Sequence, residues 1–320
     1  MDITRRTMIG SLPLVAVSAA ASAASALGRA NDKPNTKMKI YLSCGAIGVP
    51  ATMAQALDYA AQYGFEAIEA DASWLASAPE SDVARFVERM KQRQIVWAQA
   101  GLPVEFKKSE EEFQAGLKAL PATAKALQRA GVTRVGTWIM SAHPTLTYRE
   151  NFKAHSQRLS QVAGVLGDHG CRLGMEYLGP KTLWASSRYP FIHTLPEMKE
   201  LIAEMDRPNV GIVLDSWHWY TAGGTLADMQ TLTNKDIVSI DLNDAPLNVP
   251  LDQQQDGQRE LPCATGVIDT AGFLNTLNAL VCDAPARCEP FNAALRAMPP
   301  EQALRTTIAS MRKAFSLIRA

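Results

Sequence analysis

From residue 38 onward the chain repeats one unit: a short apolar run rich in β-branched residues, then a longer segment with helical spacing. The short runs are KIYLS at 39–43, EAIEA at 66–70, IVWAQ at 95–99 and TRVGTW at 133–138. They continue with RLGME at 172–176, VGIVL at 210–214, IVSIDL at 237–242 and ARCE at 286–289. Helical periodicity follows them near 52–63, 81–92, 110–129, 148–168, 195–204, 225–231, 270–281 and 300–318. Gly64, Gly131 and Gly170 each stand between a helical segment and the next run, where a left-handed closing residue is favoured.

A strand that returns parallel to its neighbour needs a crossover, so this alternation implies a parallel sheet. Eight units in about 280 residues predict an α/β fold of a single domain, a closed (β/α)8 TIM barrel. An open doubly wound sheet is the alternative. Against it, no GxGxxG follows the first strand, and GAIG at 45–48 reads as a loop.

Composition narrows the function. The 320 residues carry 32 basic and 32 acidic side chains, so formal net charge is zero. That gives no electrostatic footprint for nucleic acid. The N-terminus reads as something other than fold. TRRTMIG at 4–10 carries an arginine pair, an apolar stretch follows through Ala20, and ASAASA at 21–26 offers small-residue cleavage sites. Residues 1–26 are therefore expected to be a twin-arginine signal peptide, 27–37 a linker and 38–320 the barrel. This predicts a periplasmic protein. The apolar part is short and alanine-rich for a membrane span, so no stable span is expected in the mature protein; an uncleaved anchor is the alternative. The five cysteines are odd in number and form no CxxC pair, which argues against a zinc knuckle. A bridge between Cys282 and Cys288 is left open.

In a barrel of this type, working residues sit at the carboxyl ends of strands and on the loops that follow. The fifth run ends at Glu176 and the sixth at Asp215. The seventh presents Asp241, then Asn243 and Asp244, and the eighth ends at Glu289. Four successive strands thus bring carboxylates toward one mouth. Like charges in a low-dielectric cleft repel, and a divalent cation removes that repulsion. Carboxylate oxygens suit Mn²⁺ or Mg²⁺. Strand alternation favours Asp241 over Asp244 as the ligand. For any one of these acids, a helix N-cap or a solvated loop is the plainer reading. His143, His155 and His169 lack metal-ligand spacing and read as structural or exposed.

The segments EYLGP at 176–180, LDSWH at 214–218, DLNDAP at 241–246, RELP at 259–262, GVID at 266–269 and EPFN at 289–292 together resemble the xylose-isomerase-like barrel superfamily. Within it the chain is similar to sugar phosphate isomerases/epimerases, including ketose 3-epimerases, over about residues 38–320. The resemblance implies that Glu176 and Glu289 are metal ligands that also move a proton, and that Asp215 is a ligand. It implies that His218 and Arg259 contact substrate. The family usually has a histidine as the seventh-strand ligand, where this chain has Asp241. An all-oxygen site shifts the expected ion toward Mn²⁺ or Mg²⁺ and away from Zn²⁺.

The implied chemistry is proton transfer next to a sugar carbonyl through a metal-stabilised enediolate. Return of the proton to the same carbon epimerises; return to the adjacent carbon isomerises. A lyase or deglycosidase acting on 3-keto-glycosides with the same site is the second reading. A non-catalytic carbohydrate-binding protein is the third, and the histidine-rich endonuclease IV branch is disfavoured by only five histidines. The expected partner is a small sugar or glycoside, and self-association is left open. More than 20 residues between Asn243 and Gly266 lack periodicity and are read as a lid over the mouth. Residues 178–194 are read as a second cover. Trp184 is the substrate-binding aromatic favoured there, with Trp138, Trp217 and Trp219 as further platforms.

Overall fold

The computed structural model describes residues 35–319. The signal peptide expected at 1–26 and most of the linker expected at 27–37 lie outside the described residues. Eight strands run parallel in sequence order: Tyr41–Leu42, Ala67–Ala70, Val96–Gly101, Arg134–Ile139, Arg172–Tyr177, Val210–Asp215, Ile237–Leu242 and Ala286–Cys288. The ring closes where Ile40 bridges Ala286 in parallel and the Ala286 N–H donates to the Lys39 carbonyl at 2.8 Å. The fold is a (β/α)8 barrel, and the open doubly wound alternative falls with that closure.

Local chemistry explains why the elements start and stop where they do. Helices Met53–Tyr63, Glu110–Ala130, Tyr148–Asp168 and Leu195–Met205 each begin with a capping box, from Thr52, Ser109, Thr147 and Thr194. The cap side chain and the N3 carboxylate or amide satisfy donors that the first turn would otherwise orphan. Gly64 and Gly131 close two of these helices at φ +82°, and Gly170 precedes the fifth strand at +71°. The sixth and seventh strands are buried at every position, as expected of parallel strands with helices outside and a packed lumen inside.

Three features differ from the sequence reading. Ala72–Ser77 forms a short extra helix capped by Asp71. Ser216–Thr221 forms another, directly on the end of the sixth strand. Ala142–His143 pairs antiparallel with Tyr189–Pro190. Each is too short to show a full helical or strand period. The five cysteines are all free thiols. His155 is buried between Phe106 and Phe191, and His169 meets Gln128 on the surface. Among the described residues no helix is long and apolar enough to cross a membrane.

Candidate active site

Register places the acids. Asp215 is the cross-strand partner of Asp241, and Asp241 of Arg287, so these three share one row around the barrel. Glu176 pairs with Trp138 on the neighbouring strand. One carboxylate oxygen from each of Glu176, Asp215, Asp241 and Glu289 lies within 4.8 Å of the others, in an arrangement able to hold a metal ion. Asp215 also serves as an N-cap: its Oδ1 accepts from the Trp217 N–H at 2.7 Å. The cap and the site are one residue, because the strand ends where the short helix starts.

A cavity of about 380 Å³ opens above this cluster. Glu176, Glu289, His218, Arg259 and Arg287 line its polar side, and Trp138, Met140, Leu183 and Phe291 line an apolar side. Asp215 and Asp241 lie beneath it, at 1% and 0% exposure. Of the tryptophans read as sugar platforms, Trp138 lines the cavity, with the Lys107 ammonium 4.1 Å from its ring. Trp184 instead packs on His193 at 5.0 Å, and its neighbour Leu183 takes the cavity position. Trp217 is fully buried, and Trp219 packs against Phe273.

Two arginines answer the acids. Arg259 Nη1 donates to Asp215 Oδ2 at 2.8 Å, and its Nη2 to Asp256 at 2.6 Å. Arg287 donates through Nε and Nη2 to the two oxygens of Asp241, both at 2.8 Å, and through Nη2 to Glu289 Oε1 at 2.6 Å. Asn243 ties the floor together: its amide donates to Asp215 at 3.0 Å and its carbonyl accepts from the Glu289 N–H at 3.1 Å. Arg287, Asn243 and Asp256 were not singled out as site residues. Arg287 was findable, because it lies two residues before Glu289 and so faces the same way along a strand.

The Gly179 N–H donates to His218 Nδ1 at 3.1 Å, which leaves the ring proton on Nε2. Burial and the nearby Arg259 charge hold this imidazole neutral, its pKa well below the usual value. The Nε2–H faces Arg259 Nη2 at 3.1 Å, one donor against another, and its nearest carboxylate acceptors are 3.7–3.9 Å away. An oxygen from a bound molecule would satisfy both donors.

Glu176, Asp215 and Glu289 hold their protons more tightly than usual. Burial raises Glu176 well above the ordinary carboxylate range, and repulsion from Glu289, Asp215 and Asp241 adds to it. Burial pushes Glu289 up to about 7, opposed by Arg287. It pushes Asp215 up to about 6, opposed by Arg259. The two guanidiniums are shared among these four carboxylates and also Asp256 and Glu69, so acids outnumber cations in the site. Glu176 Oε1, buried, has no hydrogen-bond partner. An excess of acids beside an unpartnered oxygen fits a divalent cation on oxygen ligands.

The long segment after the seventh strand is ordered rather than free. Asp244, fully buried, accepts from the N–H groups of Ala245, Thr265, Gly266 and Ile268 at 2.7–3.0 Å. It is a loop clamp, and that is why it is not part of the acidic cluster. The loop so held delivers Asp256 and Arg259 to the cavity. It meets the second cover where Thr182 Oγ1 donates to the Gln254 carbonyl at 2.7 Å.

Comparison with known proteins agrees with this fold. The xylose isomerase-like TIM barrel family matches residues 57–314, and the chain belongs to that family. An inosose isomerase of Bacillus licheniformis is 24% identical over 159 residues, 49% of this chain and 54% of that protein. A 3-dehydroshikimate dehydratase of Pseudomonas putida is 28% identical over 144 residues, 43% of this chain and 21% of that protein. The chain thus spans about half the length of the first relative and about a fifth of the second. The structure of a xylose isomerase domain protein from Alicyclobacillus acidocaldarius superposes with TM-score 0.77 at 28% identity, covering 88% of this chain and 99% of that one.

Proposed function

We propose that the protein is a divalent-metal-dependent isomerase or epimerase of a sugar or sugar-derived polyol, working by proton transfer next to a carbonyl. The observation that carries this reading is the convergence of Glu176 and Glu289, from the fifth and eighth strands, on one cavity that His218 and Arg259 also line. Two carboxylates whose proton affinities are raised by burial suit removal and return of a carbon-bound proton. His218 Nε2–H and Arg259 Nη2 bind and orient the substrate oxygens. The buried floor of Asp215, Asp241 and Asn243 keeps those groups in place and excludes water. A divalent ion, Mn²⁺ or Mg²⁺, held by the acidic cluster would supply positive charge beside the oxygen of the enediolate. The arginine pair near the N-terminus supports export by the twin-arginine route to the periplasm, which favours free sugars and glycosides as substrates; signal cleavage on expression tests that.

The apolar side of the cavity favours a second reading. Trp138, Met140 and Phe291 could accept an apolar leaving group, so that the same proton removal expels it from a 3-keto-glycoside. The similarity to a dehydratase supports elimination chemistry on this scaffold.

Incubation in D₂O with ketoses and 3-keto-glycosides, read by NMR, separates these readings. Solvent deuterium at the carbon beside the carbonyl, without loss of a group, is the expected result; release of an aglycone selects the lyase. Exchange should vanish in Glu176→Gln and Glu289→Gln. Sugar binding that survives both substitutions, with no exchange in the wild type, would mean a non-catalytic carbohydrate-binding protein.

A further inference from the structure

Three of the four clustered acids have an oxygen that no guanidinium hydrogen-bonds, and one does not. Glu176 Oε1 has no hydrogen-bond partner, and His218 Nε2 stands 3.8 Å from it. Glu289 receives its one short hydrogen bond at Oε1, while its Oε2 stands 3.5 Å from Arg259. Asp215 meets Arg259 through Oδ2 and neutral N–H groups otherwise. Asp241 is different: both of its oxygens are gripped by the Arg287 fork at 2.8 Å. Bidentate pairing of this kind is among the strongest hydrogen-bonded contacts a carboxylate makes. The pair is fixed by the backbone as well, since Asp241 and Arg287 are cross-strand partners. A cation on either Asp241 oxygen would share that oxygen with the Arg287 guanidinium, two positive charges against one carboxylate in a buried site. The other acids within reach of Arg287 are Glu289, at 2.6 Å, and Glu69, at 3.6 Å.

We propose that Asp241 is the seat of Arg287 rather than a ligand, so that Glu176, Asp215 and Glu289 alone hold the divalent ion and Arg287 stands beside it as a permanent positive charge. This rests on the metal-dependent reading above and narrows it. It turns the seventh-strand position, expected from the sequence to bind the ion, into a support for a guanidinium that also steadies Glu289. Arg287 lines the cavity as well, so its charge faces whatever oxygen is bound there.

The test is Mn²⁺ binding, measured by calorimetry on the full mature chain after chelator treatment. Three proteins are compared: the wild type, Glu176→Gln, and the double variant Asp241→Asn with Arg287→Gln. The double variant exchanges a pair of net charge zero for another of net charge zero. If Asp241 only supports Arg287, Mn²⁺ affinity changes by no more than about tenfold, the lower range seen when partners of ligands are altered. Glu176→Gln should lose about a hundredfold or more. A double variant that loses Mn²⁺ as severely as Glu176→Gln overturns the proposal while leaving the metal reading intact. A wild type that binds no Mn²⁺ overturns both. Should the double variant fail to fold, a crystal structure of the wild type with Mn²⁺ decides the matter. The expected result is an intact Asp241–Arg287 pair; an ion within about 2.5 Å of Asp241, with Arg287 displaced, refutes it.

Discussion

Arg259 is the residue whose removal should expose the electrostatics of the site. Its side chain is 1% exposed, and it reaches Asp215 at 2.8 Å, Asp256 at 2.6 Å and Glu289 at 3.5 Å. Arg259→Met keeps much of the volume and the packing on Trp217 and Phe291, but it strands Asp215 without its cation. Breaking a buried pair by deleting one partner costs about 3–5 kcal/mol. Unfolding entropy near 2.1 cal/mol/K per residue gives about 0.6 kcal/mol/K for roughly 285 ordered residues, so Tm should fall by about 5–8 °C. The cost has a pH signature. At pH 8 the variant must bury ionised carboxylates or bind protons to keep them; at pH 5 Asp215, whose pKa is about 6, and Glu289, at about 7, already carry protons in the wild type. Calorimetric melts of both proteins with EDTA at pH 5 and pH 8 should show the larger gap at pH 8. An equal gap at the two pH values, or one below about 2 °C at pH 8, would refute this account of Arg259 as the charge partner of the acids.

Other consequences are as direct. Because Glu289 and Asp215 have native pKa values of about 7 and about 6, above their unfolded values near 4, the metal-free native state binds more protons than the unfolded chain between about pH 4 and 7. Their contribution to stability is therefore lost as pH rises through that window, and Mn²⁺ binding should release protons and tighten over the same range; calorimetry in two buffers of different ionisation enthalpy counts them. A Cβ on Gly179 would stand 2.3 Å from the His218 carbonyl oxygen, so Gly179→Ala must shift the backbone that fixes the His218 tautomer. Exchange activity should fall at least tenfold with Mn²⁺ affinity nearly kept, and unchanged activity would argue against that role. Asp244→Ala strips acceptors from four backbone N–H groups, a loss of about 3 kcal/mol or more. Limited proteolysis should then cut within residues 245–266, where the wild type resists.

Much of the fold can be read along the chain because its causes are local. The helices start at Thr and Ser caps whose partner lies three residues on, and glycines at positive φ close them. The strands are short, mostly apolar runs because both of their faces are largely covered. The order of acids at successive strand ends follows from the same periodicity, and so Glu176, Asp215, Asp241 and Glu289 could be named before any coordinates. What neutralises Asp215 could not be read in this way. Arg259 reaches Asp215 across 44 positions from a loop without periodicity, and that loop is held by Asp244, whose acceptor role depends on N–H groups more than 20 residues away. Likewise, Trp138 faces the cavity while Trp184 packs on His193, a choice made by neighbouring elements. Hydrogen-bond periodicity acts over a few residues and leaves its trace in sequence. Charge compensation acts through space, and only the closed barrel sets which guanidinium meets which carboxylate.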